Sequence, residues 1–324
     1  MAQFTIPKFD DNGEMRYQMG HKLLSMMKQN PRILAIDADL RSSTGIHIVD
    51  STFPDRVIKV GIAEQNMMAV SAGLSQEGFI PFCCTFDAFT RRNLDQLYVS
   101  VCYSNLNVKI LGAYAGLYTG KAGATHQSDK ELGILLRIPN LTVIEPSSNL
   151  EMEQALETAA QINGPVYLRL VRCKVGYNEI GQNYEFKIGK AVTVQEDDKA
   201  KNDIGLITTG IMLKTAKIAA DKLRKNGYTV RIDHHPSLKP FDKDSLLDLA
   251  EKAKGLVTLE NHCTSGGLFS IVCETLASHG CGNKVLPIGT DPDDYIHTGH
   301  VNDLLFRYKM TSDDVVALAE QSIQ

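Results

Sequence analysis

Short apolar runs of strand length alternate with longer helical patterns along most of this chain of 324 residues. Parallel strands need long crossover connections, which are usually helices, so the alternation predicts an α/β fold with mainly parallel sheets. In the first half the predicted strands are 32–37, 57–60, 80–84, 108–112, 141–145 and 166–170, and the predicted helices are 14–28, 63–76, 90–104, 130–138 and 149–161. In the second half the predicted strands are 204–208, 229–232 and 255–260, and the predicted helices are 214–226, 243–252 and 267–278.

A polar stretch without apolar periodicity separates the two halves. It contains three glycines and a run of charged residues near its end. Such composition is typical of a connection between domains. We therefore predict a first domain over 1–175, a linker over 176–202 and a second domain over 203–324.

Charge and hydropathy exclude several function classes. The formal net charge of −4 and the pI near 6.1 give no electrostatic footprint for nucleic acid or an anionic membrane. No window approaches 18 consecutive apolar residues, and the chain does not begin with a charged segment followed by an apolar one. We therefore expect neither nucleic-acid nor membrane partners, and a cytoplasmic location.

The seven cysteines include no Cys-x-x-Cys pair, so reduced and packed thiols are expected. One cluster of histidines and cysteines near the C-terminus invites comparison with zinc sites, but its spacing fits no known ligand pattern. Its members are His262, Cys263, Cys273, His279 and Cys281. No metal site is predicted.

A β-branched run over 57–60 turns through Gly61 and places Glu64 at the start of a helix. The helix dipole stabilises a carboxylate in the first turn, so Glu64 can be read simply as a good helix start. The residues that follow are small or apolar nearly all round, which is typical of a buried or subunit-facing helix. A carboxylate in such surroundings needs a partner.

Two later segments hold further candidates. Phe86 and Phe89 are three positions apart, so on a helix or its entry turn they can form one apolar wall, although the same spacing is common in plain cores. His126 ends a glycine-rich segment that begins at Tyr114, where a histidine is more often a turn residue than a catalytic one. The Gly-Lys in this segment lacks the spacing and the Ser or Thr of a phosphate-binding P-loop.

Taken together, these segments resemble the transketolase family of thiamine-diphosphate enzymes. The resemblance implies a thiamine-diphosphate-binding fold of the pyrimidine type, followed by a transketolase C-terminal-like α/β domain whose Glu-Asn-His…Gly-Gly turn matches 260–267. By the same resemblance, Glu64 shares a proton with N1′ of the cofactor's aminopyrimidine. Phe86 and Phe89, with Arg92 beside them, bind its ring, and His126 hydrogen-bonds the reacting carbonyl oxygen.

The resemblance also implies a site for the distant phosphate of a sugar, formed by Arg16, Ser43 and Arg172. Arginine suits phosphate or sulfonate because its planar guanidinium gives two parallel hydrogen bonds. The chain departs from the family at Tyr114, where histidine is usual, and at Lys121 and Ala122, where a Glu-Asp pair is usual. Losing an aspartate that orients a sugar hydroxyl should change which sugars fit.

No Gly-Asp-Gly segment, which carries the magnesium and diphosphate ligands in this family, occurs in the sequence. We therefore expect Mg²⁺ and the diphosphate to be held by an N-terminal transketolase subunit, in an α2β2 assembly. The expected reaction moves a two-carbon ketol unit from a ketose phosphate or sulfonate to an aldose phosphate. The alternatives are a subunit like 1-deoxyxylulose-5-phosphate synthase or a 2-oxo acid dehydrogenase β chain, or a non-catalytic subunit.

Overall fold

The computed structural model describes residues 13–181 and 183–324, so the first twelve residues of the predicted first domain lie outside the described residues. The strands are β1 Ile33–Asp37, β2 Val57–Lys59, β3 Ile80–Phe86, β4 Lys109–Ala113, β5 Thr142–Ile144, β6 Val166–Leu170, β7 Val192–Glu196, β8 Asn202–Thr208, β9 Val230–His234, β10 Ser237–Lys239, β11 Ala253–Cys263 and β12 Lys284–Thr290. The α-helices are α1 Met15–Gln29, α2 Arg41–Thr44, α3 His47–Asp50, α4 Glu64–Gln76, α5 Leu94–Gln96, α6 Leu132–Leu135, α7 Asn149–Gln161, α8 Met212–Lys225, α9 Lys243–Lys252, α10 Leu268–Ser278, α11 Val301–Arg307 and α12 Ser312–Ser322. The predicted α/β class is confirmed.

The first sheet has seven strands in the order β10-β5-β6-β4-β3-β1-β2, all parallel except β10. Every residue of β1, β3, β4 and β6 is buried, as expected for strands covered by helices on both faces. The six parallel strands run in one direction, so their carboxyl ends meet at one edge of the sheet. In open α/β sheets this edge is where ligands bind.

The second sheet has five strands in the order β12-β11-β8-β9-β7. Strand β7 lies antiparallel to β9 at the edge of this sheet, although its residues fall inside the predicted linker 176–202. The prediction of a connection over the whole of 176–202 is therefore wrong for Val192–Glu196 and for Asn202, which begins β8. Strand β7 is only half-buried and polar, because it has a neighbour on one side only.

One strand from the second half of the chain, β10, belongs to the first sheet. After β9 the chain returns to the first domain, where β10 pairs antiparallel with β5. A second tie is the side chain of Arg169, in β6 of the first sheet, which donates to the carbonyl of Asn261 in β11 of the second. The domains are therefore joined through backbone pairing and through buried polar contacts.

The predicted helix 90–104 is not one α-helix. A 3-10 segment covers Asp87–Asn93, the short α5 follows, and a π-helix covers Leu97–Tyr103. Buried side chains hold the first segment to the sheet, because the hydroxyl of Tyr167 donates to Asp87 and lies 3.2 Å from that of Thr90. These ties compete with regular helix geometry.

None of the helices within residues 13–181 and 183–324 is long and apolar enough to cross a membrane.

Candidate active site

The predicted site residues lie along the carboxyl edge of the first sheet. Phe86 is the last residue of β3, and Tyr114 directly follows β4, the strand paired with β3 through Phe86 and Ala113. Arg172 follows β6, and Glu64 begins α4 just after Gly61, whose φ of +74° favours glycine. Four separate loops therefore deliver their side chains to one edge.

Three aromatic residues and a histidine form a continuous wall. Phe86 stacks on Tyr114 with ring centroids 4.0 Å apart and lies 5.3 Å from Phe89. The ring of His126 meets Phe89 edge-on at 5.3 Å and Phe86 at 6.0 Å. The Thr125 hydroxyl lies 2.7 Å from Nδ1 of His126, which fixes the direction of the imidazole. His126 itself is exposed.

Glu64 is 5% exposed, and its carboxylate lies at one end of this wall. Nη1 of Arg92 donates to its two oxygens at 3.2 and 3.5 Å. The Arg92 side chain is 56% exposed, and its guanidinium lies 4.7 Å from the centre of the Phe89 ring. A buried carboxylate is thus held by one loosely placed cation above an aromatic ring.

The residues expected to bind an anion lie at the other end of the wall. Nη1 of Arg16 donates to the Ser43 carbonyl at 2.9 Å and to the Tyr114 hydroxyl at 3.1 Å, and its Nε donates to Glu14 at 2.6 Å. Arg16 is therefore buried and largely engaged with the protein. Arg172 is exposed, and its guanidinium lies 4.8 Å from the centre of the Tyr114 ring.

All nine predicted residues are joined by an unbroken series of contacts. From Glu64 it runs through Arg92, Phe89, His126 and Phe86 to Tyr114, which contacts Arg172 on one branch and Arg16, followed by Ser43, on the other. Their individual roles stay predictions.

Sequence reasoning missed a buried polar cluster directly beneath the wall. Arg169 is fully buried, with its Nε and Nη1 2.5 Å from Glu131 and Glu145, and Asp87 lies 3.9 Å away. Burial raises the pKa of Asp87 and of Glu145. Burial also opposes ionisation of Glu131, but Arg169 and His262 outweigh it and hold its pKa below the ordinary value.

The signal for this cluster was present in the sequence, because Arg169 is a charged residue in the middle of an apolar strand. A charge in that position is rarely buried without a partner. The partners were not identifiable, since they lie 24 to 82 positions away on three different segments.

The site residues fit one end of thiamine diphosphate. A buried carboxylate can pair with a ring nitrogen of an aminopyrimidine, and the neighbouring aromatic rings, of which Phe86 and Tyr114 are buried and Phe89 is half-buried, can pack against its faces. Within residues 13–181 and 183–324 no group of three or more His, Cys, Asp or Glu side chains is placed to hold a metal ion.

The chain matches two family profiles, described as the pyrimidine binding domain of transketolase over residues 13–176 and the transketolase C-terminal domain over 189–315. It is 34% identical over 300 residues to the 6-deoxy-6-sulfo-D-fructose transketolase subunit SqwH of Clostridium sp. (strain MSTE9), covering 92% of this chain and 91% of that one. It is 31% identical over 298 residues to 1-deoxy-D-xylulose-5-phosphate synthase of Natranaerobius thermophilus, and this match spans 92% of the chain and 46% of the synthase.

Among solved structures, the fold is similar to one described as a split gene transketolase, inactive beta4 tetramer. The two agree with a TM-score of 0.85 and 34% sequence identity, over 96% of this chain and 98% of that one.

Proposed function

Since the chain belongs to the transketolase family, we propose that it is the C-terminal subunit of a two-chain, thiamine-diphosphate-dependent transketolase. The proposed reaction moves a two-carbon ketol unit from a ketose with a terminal phosphate or sulfonate to an aldose phosphate. The observation that carries the proposal is the unbroken path of contacts from Glu64 to Arg172, which joins a carboxylate, an aromatic wall, a histidine and a cation.

At the cofactor end, Glu64 and the wall have separate tasks. The chemistry that thiamine diphosphate supplies when bound is stabilisation of the carbanion left when a carbon–carbon bond breaks. Glu64 shares a proton with the aminopyrimidine nitrogen N1′, and Phe86 and Phe89 hold the ring and keep water from the carboxylate. Arg92 is exposed and lies 3.2 Å from Glu64, so it would be the partner of the carboxylate when no cofactor is bound.

At the substrate end, His126 donates a hydrogen bond to the donor oxygen as negative charge develops there. The Thr125 hydroxyl at Nδ1 keeps the imidazole pointed for this task. Arg172 binds the distant anion from its position over the Tyr114 ring. Arg16 is held by Glu14, the Ser43 carbonyl and Tyr114, so its contribution is a fixed positive charge rather than a mobile clamp.

A missing sequence motif and exposed apolar side chains both support the need for a partner subunit. The sequence has no Gly-Asp-Gly segment, so we assign the Mg²⁺ and diphosphate ligands to an N-terminal chain. Large side chains stand exposed at the start of α4 and on the π-helix packed against it: Ile62 is 76% exposed, and Tyr98 and Tyr103 are 48% and 82% exposed. Apolar patches of this kind mark subunit contacts. A similar chain was solved as a tetramer of β chains and is described as inactive.

The substrate class follows from the anion end of the site. Phosphate and sulfonate are both tetrahedral anions that a guanidinium binds through paired hydrogen bonds. One relative is named for a sulfonated fructose. We therefore include ketose sulfonates beside ketose phosphates as donors.

The test is reconstitution. The chain is co-expressed with a candidate partner that carries a Gly-Asp-Gly…Asn segment, and the pair is screened with ketose phosphate and ketose sulfonate donors, aldose phosphate acceptors, thiamine diphosphate and Mg²⁺. Ketol transfer that requires both chains supports the proposal. Turnover of a 2-oxo acid donor with release of CO₂ would instead favour the synthase-like alternative, and no turnover by any pair that assembles would favour a non-catalytic subunit.

A further inference from the structure

The Glu260-Asn261-His262 segment lies at the carboxyl end of β11, and all three side chains are fully buried. Glu260 has a structural task, because its carboxylate accepts the backbone N–H groups of Leu268 and Phe269 at the start of α10, at 2.7 and 2.9 Å. Asn261 points the other way, into the first domain.

The side chain of Asn261 holds a turn of the first domain from both sides. Its Oδ1 accepts the backbone N–H of Leu117 at 2.8 Å, and its Nδ2 donates to the carbonyl of Ala115 at 3.2 Å. Gly116 lies between these two residues with a φ of +64°, and a Cβ there would lie 2.1 Å from Nδ2 of Asn261. The turn and the amide are therefore fitted closely enough to exclude any side chain at this position.

This turn belongs to the segment that carries two of the predicted substrate-binding residues, Tyr114 and His126. Tyr114 directly precedes it, and the Nε2 of Gln127, which follows His126, donates to the Leu117 carbonyl at 3.1 Å. The held turn therefore fixes both ends of the segment that bears Tyr114 and His126.

Asn261 is itself anchored. Nη2 of Arg169 donates to the carbonyl of Asn261 at 2.9 Å and to that of Ser128 at 3.2 Å. The backbone N–H of Cys263 donates to the Asp129 carbonyl at 2.8 Å. The end of β11 is thus tied to the first domain at the backbone of the asparagine itself and again two residues beyond it.

We propose that Asn261 is a positioning residue through which the second domain sets the placement of Tyr114 and His126 for the ketol transfer. The role in turnover rests on the proposed function, but the hold on the turn does not. It is a property of this chain alone.

The first arm of the test measures backbone amide hydrogen exchange in the purified chain. In Asn261→Ala, the amide of Leu117 loses its acceptor, and its exchange should become at least about tenfold faster. The matched control is Asn283→Ala, because Asn283 also lies in the second domain and its Nδ2 donates to the carbonyls of Ala250 and Ala253 at 2.8 and 3.3 Å. The control should leave exchange over 114–127 unchanged.

A second pair of variants tests the same contact in case Asn261→Ala does not fold. Gly116→Ala displaces the amide by adding a Cβ, whereas Gly78→Ala has a similar positive φ of +84° but no atom within 4 Å of the new Cβ. Faster exchange over 114–127 in Gly116→Ala and not in Gly78→Ala supports the proposal. Wild-type exchange of this segment in both Asn261→Ala and Gly116→Ala overturns it.

The second arm measures turnover in the assembled two-chain enzyme. Asn261→Ala should lower kcat roughly ten- to a hundredfold, with a small change in the KM for the acceptor, because a displaced His126 fails at the chemical step. Asn283→Ala should stay within about twofold of wild type. Equal loss in both variants, or no loss in either, overturns the positioning role. If the wild-type pair has no activity, the proposed function fails, and the exchange arm still decides whether Asn261 holds the turn.

Discussion

Replacing Arg169 by methionine is expected to destabilise the chain more than any single surface change. Arg169 has no exposed surface and pairs with Glu131 and Glu145, while its Nη2 also donates to two backbone carbonyls. Methionine keeps most of the volume but supplies no donor. Two buried carboxylates would then lose their guanidinium partner, and the carbonyl oxygens of Ser128 and Asn261 would each lose a donor.

The size of the effect follows from that arrangement. Removing one partner of a buried ion pair typically costs about 3 to 5 kcal/mol, because the remaining charge is left uncompensated. Domains are stable by about 5 to 15 kcal/mol, so Arg169→Met should lose a large part of the free energy of unfolding. Adding Glu131→Gln and Glu145→Gln to the same chain should restore about 1 to 3 kcal/mol, because neutral amides tolerate burial better than carboxylates.

The loss should depend on pH with a definite sign. In the wild type the pKa of Glu131 is lowered, so its contribution is present above its unfolded pKa and disappears as pH falls. Without Arg169, burial raises the pKa of the same carboxyl, and protonation on folding relieves part of the cost at low pH. The deficit of Arg169→Met should therefore shrink as pH falls from 7 toward 4.5.

The assay is urea unfolding followed by circular dichroism at one protein concentration, at several pH values. The matched control is Arg224→Met, since the Arg224 side chain is 27% exposed and pairs with Asp197 and Asp221 on the surface. Surface pairs contribute about 0 to 1 kcal/mol. A deficit for Arg169→Met no larger than that of Arg224→Met, or one that grows as pH falls, would refute the reasoning.

Two further outcomes are expected. His235 is buried, neither of its ring nitrogens is bonded to a described residue, and burial lowers its pKa to about 4. Because the unfolded chain binds this proton at a higher pH, the free energy of unfolding should fall by about 3 kcal/mol between pH 6.5 and 4. His235→Phe, which keeps the stack on Phe241, should remove that loss when unfolding is measured as a function of pH. In the assembled enzyme, Arg172→Met should raise the KM for an anionic donor about ten- to a hundredfold without lowering the melting temperature. Arg16→Met removes a buried donor of several hydrogen bonds, so it should lower the melting temperature itself. Equal behaviour of the two variants would contradict their different burial.

The features that sequence predicted are those with local signals. Buried parallel strands read as apolar runs, and the nine candidate site residues could be proposed because their motifs are short and each follows a strand or begins a helix. Their convergence then follows from the parallel sheet, which brings the loops after β3, β4 and β6 to one edge.

The features that sequence did not predict depend on distant partners or weak patterns. Strand β10 has only three residues, Ser237–Lys239, and its place in the first sheet is decided by β5. Strand β7 has the polar composition of a loop, because it lies at the edge of its sheet and pairs only with β9. Apolar periodicity also cannot tell a π-helix from an α-helix over Leu97–Tyr103. The contact of Asn261 with the turn at Gly116 joins positions 144 and 146 residues apart, and no local pattern reports it.

Glu64 carries the central claim, which is that this chain supplies the proton partner of a cofactor held between two subunits. The most direct measurement is cofactor-dependent turnover of the assembled pair with Glu64→Gln, compared with Glu77→Gln, an exposed carboxylate that directly follows the same helix. The account predicts that Glu64→Gln lowers kcat by roughly 10² to 10⁴ at saturating thiamine diphosphate, while Glu77→Gln stays at the wild-type rate and neither chain alone turns over. Turnover of Glu64→Gln within about threefold of wild type, or full activity of this chain without a partner, would contradict it.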